Sequence, residues 1–183
     1  MTGNKFTGLF EKALEYAIEK HKGQYRKNSN MPYYWHVVCV AKNVEDNKKS
    51  KNLELLLTAA ILHDTKEDCP DVTLEEIAKL FGYKVAALVE ELTSDQIEIE
   101  KMGKTEYLKM KMGKMSSYAL VIKLSDRLDN VKDLGNCSES FRNKYTKETL
   151  DIIQHLRDCG RKLTATHVKI IEKIENSLTT ITA

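Results

Sequence analysis

The sequence predicts an all-α fold, arranged as a single compact multi-helix domain. Apolar residues recur at three-and-four spacing along nearly the whole chain, and only two prolines and eight glycines interrupt its 183 residues. An apolar fraction of 42% beside 31% charged residues is enough for one core in a chain of this length.

Each helix can be justified in turn. Phe6, Phe10, Ala13, Leu14, Ala17 and Ile18 form one apolar stripe, and Gly23 suits a left-handed helix end, so the first helix is predicted over residues 6–22. Residues 24–32 are polar and close on Pro32, which reads as a loop leading into a helix over 34–45. The run Leu53, Leu55, Leu56, Leu57, Ala59, Ala60, Ile61, Leu62 is apolar nearly all round, so that third helix should be central.

Thr73-Leu-Glu-Glu76 matches a capping box, in which Thr73 accepts from an amide of the first turn and Glu76 reaches back. It should open a short helix ending near Gly82. Further helices are predicted over 85–92, over 97–114 with two weakening glycines, and over 118–134, 139–157 and 168–178.

Charge and cysteine content narrow the function classes. Lys and Arg total 29 against 27 Asp and Glu, a net charge of +2, so no global field calls for nucleic acid or an anionic membrane. Cys39, Cys69, Cys137 and Cys159 lack metal-ribbon spacing and read as reduced thiols. The chain leads from Met1 into an amphipathic pattern, and no apolar run reaches the roughly 20 residues of a membrane span. A cytoplasmic protein with no membrane partner is expected; the sequence fixes no oligomeric state.

Chemistry concentrates at His63-Asp64, where an apolar helix turns polar and is followed by Glu67 and Asp68. Carboxylates beside such a stretch cost several kcal/mol unless a cation or hydrogen bonds compensate. On a continuous helix His63 and Glu67 are four apart, and Asp64 lies three from Glu67 and four from Asp68, so all four share adjoining faces. Imidazole and carboxylate donors suit divalent manganese, iron, zinc or cobalt. The chain offers further ligands in His36 and in Asp126, which interrupts an amphipathic helix.

With those residues in view, the sequence resembles the HD-domain superfamily, whose signature is His, then His-Asp, then a distant Asp. His21-Lys-Gly-Gln-Tyr-Arg-Lys27, Pro32-Tyr-Tyr-Trp-His36, His63-Asp-Thr-Lys-Glu-Asp68, Phe81-Gly82 and Lys123-Leu-Ser-Asp-Arg-Leu-Asp-Asn130 look like the hydrolase domain of RelA/SpoT proteins, in the same order over residues 14–150. Residues after about 151 show no further recognisable domain.

The resemblance implies a stand-alone small alarmone hydrolase of the stringent-response nucleotides. It would remove the 3′-pyrophosphate of guanosine tetra- and pentaphosphate to give GDP or GTP and pyrophosphate. It also implies manganese held by His36, His63, Asp64 and Asp126, a catalytic pair Glu67 and Asp68, and substrate contacts from Arg26, Lys27, Asn130, Tyr145 and Glu148. Arg26 and Lys27 suit that role, offering a planar fork and a point charge for phosphate oxygens.

Asp129 stands where the family often has histidine, and Lys66 places a cation beside Glu67. Both bear on substrate choice. The same chemistry would serve a phosphatase acting on a 5′-nucleotide or on the 2′-phosphate of NADPH, and a catalytically weak alarmone sensor is a third reading.

Overall fold

The computed structural model describes residues 8–27 and 29–182. The predicted start of the first helix at Phe6 lies outside the described residues. Within them the chain is all-α, with eleven α-helices, one 3-10 turn and no strand. It divides into two units, the first ending at Thr93 and the second beginning at Ser94.

The first unit holds α1 (Gly8–Lys20), α2 (Tyr34–Asn47), α3 (Leu53–Leu62), α4 (Thr65–Asp68), α5 (Leu74–Phe81) and α6 (Tyr83–Leu92). The all-round apolar pattern of α3 has the expected result. Every residue from Leu56 to Leu62 is buried, and α3 packs against α1, α2 and α6. Burying Leu56, Ile61 and Leu62 contributes roughly 1.5–3 kcal/mol each. The chain leaves α1 at Gly23, whose φ of +79° is the left-handed conformation glycine tolerates. In the following loop Tyr25 and Pro32 form an isolated antiparallel bridge. Thr73 caps α5 by accepting from the Glu76 amide at 3.1 Å.

The second unit holds α7 (Gln96–Met102), α8 (Lys104–Lys114), α9 (Ser117–Lys132), the 3-10 turn Asp133–Asn136, α10 (Glu139–Asp158) and α11 (Ala165–Thr182). The helix predicted over 97–114 is two helices. Gly103, at φ +83°, ends α7 and precedes α8, so this glycine breaks the helix where it was expected only to weaken it. The helix predicted over 118–134 closes as a 3-10 turn after Lys132.

Polar side chains fix the ends of these helices. Asp95, Ser116 and Ser138 cap α7, α9 and α10 by accepting first-turn amides. Helix α9 packs against α11, and α10 against α8 and α11. His167 is fully buried, accepts from the Thr164 amide at 3.1 Å through Nδ1, and donates from Nε2 to the Ser117 carbonyl at 3.0 Å. It therefore locks α11 to the start of α9. All four cysteines are free thiols. No helix among the described residues is long and apolar enough to cross a membrane.

Candidate metal centre and active site

Three of the four predicted ligands meet in the first unit. Pro32 and Tyr33 turn the chain into α2, and the His36 amide donates to the Tyr33 carbonyl at 2.9 Å, so His36 enters on the first turn with its ring buried. Helix α3 ends at Leu62, and His63 and Asp64 form a turn before α4. Thr65 Oγ1 bonds back to the Leu62 carbonyl at 2.7 Å, while the Asp64 carbonyl accepts the Glu67 and Asp68 amides. The spacing argument for a continuous helix from His63 to Glu67 therefore fails at this turn. Asp64 sits at φ −100°, ψ −8°, and Glu67 and Asp68 are exposed.

The turn aims two imidazoles at one carboxylate oxygen. Asp64 Oδ2 lies 2.9 Å from His63 Nε2 and 3.6 Å from His36 Nε2, and Tyr33 Oη donates to it at 2.7 Å. The candidate ligand atoms of His36, His63 and Asp64 all fall within 4.8 Å of one another. His63 Nδ1 is 2.8 Å from the Ala60 carbonyl, where only an N–H is favourable, so Nε2 turns a lone pair toward the cluster. Burial pushes the Asp64 carboxyl up, but when the His63 and His36 rings take a second proton their charge and hydrogen bonds overrule burial and hold the group well below the usual carboxylate range, a place that a metal cation would fill when the rings are neutral. Two imidazoles and an ionised carboxylate are a donor set that fits a divalent transition ion.

The acidic pair has its own electrostatics. Although Asp68 is exposed as a residue, desolvation of its carboxyl, followed by the charges of Asp64 and Glu67, raises its pKa from the ordinary aspartate value. Arg26 and Lys27 lie in the loop closed by the Tyr25 and Pro32 bridge. The Arg26 amide donates to the Met31 carbonyl at 2.9 Å, and Lys27 is exposed.

The remaining predicted residues belong to the second unit. Asp126 is buried on α9, with Asn130 Nδ2 donating to Oδ1 at 2.6 Å and Lys123 Nζ 3.0 Å from Oδ2. Arg127, also buried, donates to Glu148 at 3.1 Å and to Thr149 Oγ1 at 2.8 Å, and its guanidinium lies 4.9 Å from the Tyr145 ring centroid. Glu148 is thus buried and committed to Arg127. Desolvation pushes the Tyr145 hydroxyl up, against the opposing charge of Arg127.

Sequence reading missed the parts played by Tyr33, Gln24, Lys123 and Arg127. Tyr33 stood inside a quoted motif between Pro32 and His36, and Arg127 stood beside Asp126, between Leu124 and Leu128 on a buried stretch of its helix. A buried cation there had to find an acid, and Glu148 was available.

Comparison with known proteins bears on this constellation. The HD domain family model matches residues 13–161, a span that includes His36, His63, Asp64 and Asp126. The chain belongs to the HD-domain family. This HD-domain protein is 38% identical over 144 residues to guanosine-3′,5′-bis(diphosphate) 3′-pyrophosphohydrolase of Aquifex aeolicus, covering 78% of this chain and 20% of that one. It therefore spans about one fifth of that relative's length. With the Drosophila melanogaster protein of the same name it is 34% identical over 160 residues, covering 84% of this chain and 88% of the relative. A solved structure described as a metazoan ortholog of SpoT that hydrolyzes ppGpp aligns with a TM-score of 0.79 and 31% identity, over 95% of this chain and 96% of that one. The resemblance read from the motifs thus holds at the level of family and fold.

Proposed function

We propose that this HD-domain protein is a metal-dependent hydrolase of guanosine 3′,5′-bis(diphosphate) and its pentaphosphate analogue, releasing pyrophosphate and leaving GDP or GTP. The observation that carries the reading is the convergence of His36 and His63 on Asp64, in a chain whose relatives are named for that reaction.

In this reading His36, His63, Asp64 and Asp126 hold the ion, and manganese is the metal proposed. When bound, a divalent ion supplies positive charge to phosphate oxygens and makes water more acidic. The chain's own residues do the rest. Arg26 and Lys27 bind the pyrophosphate oxygens and orient phosphorus for attack. Glu67 takes the proton of the attacking water, and Asp68, whose raised pKa favours keeping a proton, gives one to the ribose 3′ oxygen as its bond to phosphorus breaks. One water is consumed, one P–O bond forms and one breaks.

Asn130, Tyr145 and Glu148 are read as the nucleotide side of the site, Glu148 acting through Arg127. Both units would serve one catalytic domain, a reading supported by a family match that runs across their division. A cytoplasmic address belongs to the same proposal, since the substrate is a soluble nucleotide.

The test is to incubate purified protein with the tetraphosphate and manganese, with and without chelator, and resolve the products by ion exchange. GDP and pyrophosphate, lost with chelator, are expected. Faster orthophosphate release from a 5′-nucleotide or from NADPH would replace the reading with a general nucleotide phosphatase. Tight binding without turnover by metal-loaded protein would make the chain a sensor.

A further inference from the structure

The loop carrying Arg26 and Lys27 and the turn carrying Glu67 and Asp68 are far apart in sequence, yet one side chain joins them. Gln24 Nε2 donates to the Asp68 carbonyl at 3.1 Å, and Gln24 Oε1 lies 2.7 Å from His21 Nδ1. A carboxamide oxygen only accepts, so His21 Nδ1 carries the proton. The backbone of Gln24 is engaged as well. Its amide donates to the His21 carbonyl at 3.0 Å, and its carbonyl accepts the Tyr33 amide at 2.9 Å.

His21 is a suitable anchor because it is buried and its ring is boxed in. The ring lies 4.9 Å from that of Tyr33, and the Cys69 thiol is 3.8 Å from Nδ1. Its Nε2 is buried with no hydrogen-bond partner among the described residues, so Gln24 supplies the short polar contact that sets the ring's orientation. Tyr33, packed on that ring, is the residue that donates to Asp64.

We propose that Gln24 is a positioning residue: its carboxamide, anchored on buried His21, fixes the cationic loop against the acidic turn. This deepens the hydrolase reading and rests on it. Phosphoryl chemistry needs the groups holding phosphate and those handling water at a set separation, and a displacement of about 1 Å costs on the order of a hundredfold in rate. The carboxamide suits this role because one end accepts and the other donates, so it can span two segments that each present the opposite group.

The experiment compares wild type with Gln24→Met, which keeps length and volume but removes both hydrogen bonds. Amide exchange at Arg26 and Tyr33 should quicken about five- to tenfold, the worth of one lost hydrogen bond. kcat for the tetraphosphate should fall about ten- to a hundredfold, with metal content and melting temperature close to wild type. In a background carrying both Arg26→Ala and Lys27→Ala the same substitution should cost less than about twofold, because the loop then has no cation left to place.

Gln24→Glu keeps the acceptor for His21 but sets an oxygen against the Asp68 carbonyl, so it should fall at least as far and serves if the Met variant does not fold. Unchanged exchange with unchanged kcat, or an equal loss with and without the Arg26 and Lys27 cations, would overturn the proposal. A wild-type protein that leaves the tetraphosphate intact would overturn the hydrolase reading instead, and the exchange rates would still decide whether the tether exists.

Discussion

Asp64 and Arg127 are both charged side chains with little access to water, exposed by 14% and 5%, yet their surroundings differ. Around Arg127 the second unit has arranged mutual neutralisation, with Glu148 for its charge, Thr149 for a further donor and Tyr145 against its flat face. Around Asp64 the first unit has gathered two imidazoles and a phenol on one oxygen. That arrangement concentrates lone pairs, which a cation would relieve. A buried charge that is fully answered by its neighbours reads as architecture, and one surrounded by more potential ligands reads as a place for something to bind.

The largest expected effect separates the two regions. Asp64→Ala or His63→Ala should abolish metal retention and turnover together, while the apoprotein stays folded because α3 is buried through Leu62. Glu67→Ala, one turn further on the exposed side, should keep the metal and lose about a hundredfold or more in kcat. Metal analysis of the purified variants decides this. Loss of metal from the Glu67 variant as complete as that from Asp64→Ala would erase the division between ligand and catalytic roles.

Arg127 should behave in the opposite way. Arg127→Met strands a buried carboxylate at Glu148 and should cost about 3–5 kcal/mol in chemical denaturation, whereas replacing both partners by Met and Leu should recover most of it. If the double variant is as unstable as the single one, packing of the guanidinium on Tyr145, and not neutralisation, is what the second unit needs from this residue.

The same contrast explains what could be read from sequence. The helices of the first unit were legible because their apolar faces are periodic and their ends carry Gly23 and Thr73. The three candidate ligands in that unit were legible because His36, His63 and Asp64 stand out on apolar ground. The bend at His63 and Asp64 was not legible, since it depends on Thr65 bonding back to Leu62, and serine or threonine near a helix end reads equally well as a continuing helix. Nor was the Arg127 network, because its partners Glu148 and Thr149 lie 21 and 22 positions away and only tertiary packing brings them together. Gly103 was seen, but its effect was underestimated, because a positive φ cannot be told from a merely tolerated glycine in a helical pattern.

The smallest effect offers the closest control on the difference between the regions. Gly23 and Gly103 both sit at positive φ, +79° and +83°, and an added Cβ would meet nothing within 4 Å at either. Substituting alanine therefore imposes backbone strain at both, on the order of 1–3 kcal/mol, without a steric clash to confuse the comparison. Their neighbours differ. Gly23 directly precedes Gln24 and the loop bearing Arg26 and Lys27, whereas Gly103 joins α7 to α8 and has none of the proposed site residues on either helix. Both variants are expected to lose stability in thermal melts, with a several-fold fall in kcat for Gly23→Ala and none for Gly103→Ala. A matching fall in both would mean that activity follows global stability, and that the turn after α1 holds no special relation to the chemistry.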